Sequence, residues 1–526
     1  MRDAIADIHM PVYVLGRDAE GQLCDRAVAC RGEARFGADV RLAQEDRAII
    51  GHAAPLRLAS LGDSEFRAAH GLKLACVAGA MANGIASVEL VEAMSRAGML
   101  GIFGAAGLPL RTIEVAIDRL TSSLGTAAFA FNLIHSPNEP DLEHGVVDLY
   151  LRHCVRLVSA SAYMRLTLPL IRYRVSGIYR DADGSVVTPN RVIAKVSRVE
   201  VATQFFSPPP DALLQELVAS GDITEQQAHL AGEIPVAQDL TAEADSGGHT
   251  DNRPALGLLP TMIALRDRMQ REYGYHERLR VGAAGGIATP HSAVAAFAMG
   301  AAYVLVGSVN QSCVEAGTSQ AVREMLAASG QADVAMAPAA DMFEMGVKVQ
   351  VLKRGTMFAM RAGRLYDLYR TYDSIDEIPV DERKKLEETV FRATFDEVLD
   401  DVRTYFLDRD RAQWERAETD PKHRMALAFR WYLGQSSTWA NTGEPSRRLD
   451  YQIWCGPAMG AFNAWVGDSF LAEAKNRSVV TVSLNLLYGA AVLTRIQMLR
   501  SQDVILSFEE QQVLPRTLAQ LEMHLE

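Results

Sequence analysis

Eight short apolar runs separated by amphipathic stretches restrict the architectures open to this chain more than any other feature. They are Leu72–Ala80, Leu100–Ala105, Ala127–Ile134, Val155–Ala160, Val192–Val196, Val236–Ala242, Leu279–Ala284 and Tyr303–Val306. Helix-like segments lie between them. Ser87–Ala97 opens with an N-cap serine and an acidic first turn at Glu89, and Pro290–Met299 has proline near its start. Short strands alternating with helices mark βα units around a parallel sheet, and eight of them predict an α/β fold of the (β/α)8, or TIM barrel, type.

The flanks read differently. Residues 1–65 carry short β-like runs such as Pro11–Leu15 between Gly and Asp turns, and predict a small β-rich cap. The barrel is assigned to residues 66–372, with two interruptions. Tyr179–Ser185 is a polar hairpin-like stretch with a turn signal at Asp183-Gly184. Residues 207–234, after the fifth strand, contain helical text and are expected outside the barrel, where loop insertions often form lids. Beyond Tyr372 the alternation stops, and residues 373–526 predict a C-terminal helical region. Its aromatic segments (Phe429–Tyr432, Trp439, Tyr451–Trp454, Phe462, Trp465) are expected in the core.

With 53 Lys and Arg against 65 Asp and Glu, the net charge of −12 argues against non-specific adhesion to nucleic acid or anionic lipid. The six cysteines are scattered without a Cys-x-x-Cys, so neither a disulfide framework nor a metal site is expected. Asp3 and Asp7 stand where an export signal needs a basic segment, and a cytoplasmic location is expected. Val281–Val314 has no charged residue, but Gly285-Gly286, Thr289-Pro290 and Gly307-Ser308 punctuate it. A buried strand–loop–helix–strand unit is expected there rather than a membrane span.

The candidate chemistry lies at strand ends. Gly285-Gly286 follows the seventh strand and Gly307-Ser308 the eighth. In a barrel these loops commonly bind phosphate, because glycines let backbone N–H groups approach an anion and a helix N-terminus adds its dipole. His249 follows the sixth strand in Ala244-Asp-Ser-Gly-Gly-His-Thr-Asp251, where Gly247 and Gly248 admit a flat ligand and the imidazole can exchange a proton near neutral pH. Gly79, Ala80 and Met81 leave backbone bare after the first strand. Asn132 and Lys195, ending the third and fifth runs, can offer an amide and a cation to a polar ring edge or a phosphate.

Five segments together carry a resemblance: Ala78–Ser87, Ala244–Pro254, Gly285–Pro290, Val306–Gln311 and Tyr451–Gly460. The chain resembles the trans-acting enoyl reductases of polyunsaturated fatty acid synthases and trans-acyltransferase polyketide synthases, within the wider nitronate monooxygenase-like flavoprotein group. The resemblance implies an FMN-containing barrel that takes hydride from NADPH, or NADH, and passes it to the β-carbon of an enoyl thioester on an acyl carrier protein. It implies His249 as the active-site histidine, Gly285, Gly286, Gly307 and Ser308 at the phosphate, Ala80, Met81 and Asn132 along the flavin, and Lys195 beside it. Whether the chain is a homodimer is left open.

Three other readings compete. Nitronate oxidation would use the same fold with histidine as base, but a small nitronate needs neither the long helical C-terminus nor the insertion. An inosine-monophosphate-dehydrogenase-like reaction needs a nucleophilic cysteine in the sixth loop, where this chain has His249; Cys313 is expected to be buried packing. A non-catalytic docking subunit would not need intact small-residue loops. An acidic carrier protein would have to dock on a local basic or apolar patch, for which Arg361, Arg364, Arg370, Lys384 and Lys385 are candidates.

Overall fold

Strands that are apolar on both faces are stable only between two buried layers, as inside a closed barrel wrapped by helices. The computed structural model describes residues 1–17, 23–32, 34–35, 41, 47–135 and 140–525. Each of the eight runs supplies one parallel strand: β1 (Cys76–Ala78), β2 (Leu100–Phe103), β3 (Ala130–Ile134), β4 (Leu157–Ser161), β5 (Arg191–Val196), β6 (Asp239–Glu243), β7 (Arg280–Ala284) and β8 (Val304–Val306). They pair in sequence order, and β8 closes on β1 through Val304↔Cys76 to Val306↔Ala78. The TIM barrel expected from the sequence is the fold observed.

The uncharged stretch is a buried unit of this barrel, running from β7 through the helix Pro290–Ala298 to β8. Against that helix lies Val479–Arg500, a helix long and apolar enough to cross a membrane, with 89% of its most apolar window buried inside the protein. The two helices touch at Gly489, where a Cβ would lie 2.4 Å from the Pro290 ring. The other side of Val479–Arg500 holds the N-terminus: the Tyr488 hydroxyl donates to Ala6 O at 2.7 Å, and the buried Arg495 guanidinium donates to Met10 O at 2.6 Å. The cap is the short helix Arg2–Ala6 with a three-stranded antiparallel sheet of Leu23–Ala29, Val12–Arg17 and Ala48–Ala53. The Cys24 side chain lies outside the described residues.

Two large cores divide the rest. One joins cap, barrel and the segment after Ala440. The other lies between Ala337 and Leu433 and is built on Phe343, Phe358, Phe391 and Phe429. It packs five helices (Phe358–Thr371, Val380–Leu386, Phe395–Arg409, Arg411–Thr419, Pro421–Thr442) against the strands Val334–Pro338 and Lys348–Leu352. These strands lie before residue 372, so the second core begins inside the stretch assigned to the barrel by sequence, and residues 373–526 contribute to both cores.

The insertion lies outside the barrel wall, at the end away from the mouth, and so does not form a lid. Its helices, Asp211–Ala219 and Glu225–Ala231, follow the barrel helix Val199–Phe206 and precede β6. An α-to-β connection lies at the N-terminal ends of the strands, opposite the face where barrel active sites form. The Val236 and Ala237 N–H groups close its base by donating to Ser207 O and Phe205 O at 3.0 and 2.9 Å. The hairpin of Tyr179–Arg180 and Val186–Val187 joins it there through an Arg180–Glu233 ion pair.

The same end of the barrel buries charge. Asp239, the first residue of β6, receives Arg280 Nε at 2.6 Å and His70 Nε2 at 2.8 Å, all three nearly inaccessible. Burial alone would raise the Asp239 carboxyl, but His70 and Arg280 outweigh it and hold it well below the usual aspartate range. We expect Asp239→Ala, which leaves the buried Arg280 guanidinium and the His70 ring without their shared partner, to destabilise the protein by about 3–5 kcal/mol, read as a lower denaturant midpoint. Because the folded carboxyl is depressed, its contribution is complete above about pH 4 and is lost only as acid protonates it further down. An unchanged midpoint at neutral pH would contradict this.

Candidate active site

Glycines at the C-terminal ends of β7 and β8 shape one wall of the barrel mouth, and they do so differently. Gly285 has φ +79°, and a Cβ there would lie 2.5 Å from the Ala244 carbonyl carbon, so this glycine lets the end of β6 approach. A Cβ on Gly286 or Gly307 would meet nothing within 4 Å. Those two positions face open space, and the space belongs to a cavity of about 550 Å³ at the mouth.

All the catalytic and cofactor-binding candidates from the sequence line this cavity. Gly79, Ala80 and Met81 come from the end of β1, Asn132 from β3 and Lys195 from β5. Gly247, Gly248 and His249 come from the loop after β6, Gly285 and Gly286 from β7, and Gly307 and Ser308 from β8. Several of them are already engaged. The Asn132 amide donates to Ser161 Oγ at 2.9 Å and Ser159 O at 3.3 Å, within the barrel wall. Ser308 Oγ accepts the Gly456 N–H at 3.1 Å. Lys195 Nζ lies 2.5 Å from both carboxylate oxygens of Glu243, which also accepts from Ser246 Oγ at 3.1 Å. Lys195 therefore reaches the cavity as half of an ion pair rather than as a bare cation.

The loop after β6 is fastened on three sides. Asp251 accepts from Ser197 Oγ at 2.6 Å and from Arg198 Nε and Nη2 at 2.9 and 3.0 Å. Arg198 is the main cause that holds its carboxyl down at about 2. Gly248 and His249 pair antiparallel with Gln350 and Val349 of the second core's strand Lys348–Leu352. The Gln350 amide donates to Asp245 Oδ1 and Ser246 O, both at 2.8 Å. At Gly247 a Cβ would lie 2.8 Å from Cys455 N, so the segment around Trp454 also presses on the loop. His249 Nε2 meets Asp341 Oδ2 at 3.1 Å.

The second core thus walls the mouth with Met342, Met345, Val347, Lys348 and Trp454, none of them singled out by sequence as site residues. Trp454 is expected in the core at helical spacing. Residues 451–455 are extended instead, with Trp454 bridging Val351, and the half-buried indole faces the cavity. Its neighbours in the expectation, Phe429, Tyr432 and Phe462, are buried. Glu243 and Asp341 also escape the sequence reading, since carboxylates without a motif look like surface residues. Arg361 leaves the candidate docking patch: it pairs with Asp450, which is fully buried. Arg364 pairs with Glu382 at 2.9 Å, while Arg370, Lys384 and Lys385 stand at the surface. Cys313 is buried, as expected.

A barrel whose mouth carries open glycines and a histidine-bearing loop has relatives. Residues 67–362, more than half of the chain, match the nitronate monooxygenase family model, and the chain belongs to that family. Residues 372–451 match the inserted helical domain of [acyl-carrier-protein] S-malonyltransferase. Within the family the chain groups with synthase proteins. It is 44% identical over 512 residues to a polyunsaturated fatty acid synthase protein of Thraustochytrium sp., covering 96% of this chain and 33% of that protein. It is 46% identical over 440 residues to the polyketide biosynthesis protein PksE of Bacillus subtilis, covering 84% of this chain and 57% of that protein. The crystal structure of the enoyl reductase domain of MlnA, from the macrolactin biosynthesis cluster of Bacillus amyloliquefaciens, superposes with a TM-score of 0.80 at 40% identity, over 85% of this chain and 100% of that one. The chain spans from a third to somewhat over half the length of these two curated relatives.

The two glycines after β7 separate by substitution. Gly285→Ala forces a Cβ into backbone, and we expect a loss of about 3 kcal/mol or more. Gly286→Ala meets only the positive φ, for about 1 kcal/mol. Thermal melting of the two variants side by side checks the order, and equal melting temperatures would contradict it.

Proposed function

We propose that this chain reduces the α,β-double bond of enoyl thioesters carried on acyl carrier protein domains of a polyketide or polyunsaturated fatty acid synthase, using FMN and NADPH. The observation that carries the proposal is the cavity itself. It joins the histidine loop of β6 to two glycines, on neighbouring strands, whose missing side chains leave room for a ligand. The 40% identity to an enoyl reductase domain supports the same reaction.

The residues present fit FMN. Gly286 and Gly307 would face its phosphate with backbone, and Gly79 and Ala80 line the cavity at the first strand's end, where a flat ring would lie. Such a flavin, when bound, supplies hydride transfer from the nicotinamide to the β-carbon. What remains for the protein is to orient the thioester, exclude water and complete the α-carbon. Met342, Met345, Val347 and Trp454 of the outer wall give the mouth an apolar cover suited to an acyl chain. Addition at the β-carbon leaves an enolate-like thioester, whose electron pair takes a proton at the α-carbon. We assign that proton to Nδ1 of His249, the ring nitrogen not held by Asp341. The N–H bond breaks as the C–H bond forms, and the neutral ring then regains a proton from water.

The partner reading rests on the helical segment. Its likeness to the helical insert of a malonyltransferase that acts with acyl carrier protein supports a carrier-facing surface there. Lys384 and Lys385 are surface cations on that segment, available to an acidic carrier.

The purified protein should be yellow, and acid should release the pigment as free FMN. His249→Ala should keep the pigment and slow NADPH-dependent reduction of a small enoyl thioester by about 10²–10⁴-fold. A colourless protein, or a variant with wild-type turnover, would overturn the assignment.

A further inference from the structure

The catalytic candidate His249 is met by a carboxylate from outside the barrel. Asp341 belongs to the turn between Val334–Pro338 and Lys348–Leu352, in the second core. Its Oδ2 lies 3.1 Å from His249 Nε2, and both side chains are partly exposed. The turn is well anchored. Ala339 and Phe343 on either side of it are buried in the second core, Ala339 N–H donates to Val347 O at 2.9 Å, and Arg430 Nε holds Ala340 O at 2.9 Å. Phe343 stands edge-on to Tyr366 and Phe429.

The other member of the contact hangs from the same framework. His249 pairs with Val349 in the strand that leaves this turn, so both side chains are referred to Lys348–Leu352. Asp341 itself sits in the turn, whose ends are held by this short sheet and by the Ala339–Val347 hydrogen bond. Burial alone would raise the Asp341 carboxyl, but the hydrogen bond and charge of His249 hold it below its ordinary value. An ionised carboxylate can only accept, so the proton in the contact sits on Nε2. That fixes the tautomer: Nδ1 is the nitrogen left to face a ligand, as acceptor in the neutral ring and donor in the imidazolium.

We infer that Asp341 is a positioning residue, which holds His249 by Nε2–H so that Nδ1 serves the substrate and makes the seated second core a condition of proton transfer. The inference rests on the role proposed above for His249. It adds that the barrel alone does not carry a competent histidine, because the group that orients the ring comes from the second core.

Four full-length variants loaded with FMN test this: His249→Ala, Asp341→Asn, Asp341→Glu and the double variant His249→Ala/Asp341→Asn. Steady-state reduction of crotonyl-pantetheine by NADPH is measured alongside melting temperature. We expect Asp341→Asn to lower kcat about tenfold or more, with KM and melting temperature nearly unchanged, and Asp341→Glu to restore much of the rate. In the His249→Ala background, Asp341→Asn should cost nothing further, since the two residues act as a unit. Wild-type kcat in Asp341→Asn with a slow His249→Ala would overturn the positioning role alone. So would losses that multiply in the double variant. Wild-type kcat in His249→Ala would overturn the histidine's role and this inference with it.

Discussion

The site depends on one short strand. Lys348–Leu352 places Val349 and Val351 in the second core and Leu352 in the core of the barrel. One of its edges is covered by Val334–Pro338. The other is shared between Gly248–His249 of the histidine loop and the extended segment at Trp454. Its Gln350 side chain reaches across to Asp245 and Ser246. Backbone pairing of this kind leaves little freedom of register, because a slip by one residue would turn Val349 and Val351 out of their core. The second core is therefore keyed to the barrel at the loop that carries His249, the candidate proton donor.

Stability and chemistry occupy opposite ends of the molecule. The buried Asp239–Arg280–His70 cluster, the insertion and its hairpin lie at the strand N-termini. The open glycines, the Lys195–Glu243 pair and His249 lie at the C-termini, where loops can vary without disturbing the barrel. The helix Val479–Arg500 ties the last part of the chain back over the barrel and clasps the N-terminal cap. Its apolar length serves burial between these layers.

Features with local causes are legible in the amino-acid order. The eight strands announce themselves as short, largely apolar runs between helical stretches, and Gly285-Gly286 and Gly307-Ser308 as small residues at strand ends, of which Gly286 and Gly307 leave room for a ligand. Features made by distant pairing are not legible. Asp341 acquires its meaning from His249, ninety-two positions earlier in the chain, and nothing around residue 341 records that. Trp454 reads as core because its aromatic spacing looks helical where the backbone is extended. Arg361 looks like a surface cation until Asp450 is found beneath it. The insertion at 207–234 reads as an excursion from the barrel, but its text does not say at which end it lies, since that depends on whether it follows a strand or a helix; the turn after Phe206 decides that.

The central claim is that this cavity delivers hydride and a proton to an enoyl thioester. The direct measurement is an anaerobic stopped-flow mix of the NADPH-reduced protein with crotonyl-pantetheine, following the oxidised flavin band and analysing the product. The account predicts return of the oxidised band with stoichiometric butyryl-pantetheine, at a rate no slower than turnover. A flavin that stays reduced with the thioester, in a protein whose oxidised form is readily reduced by a nitronate, would contradict it.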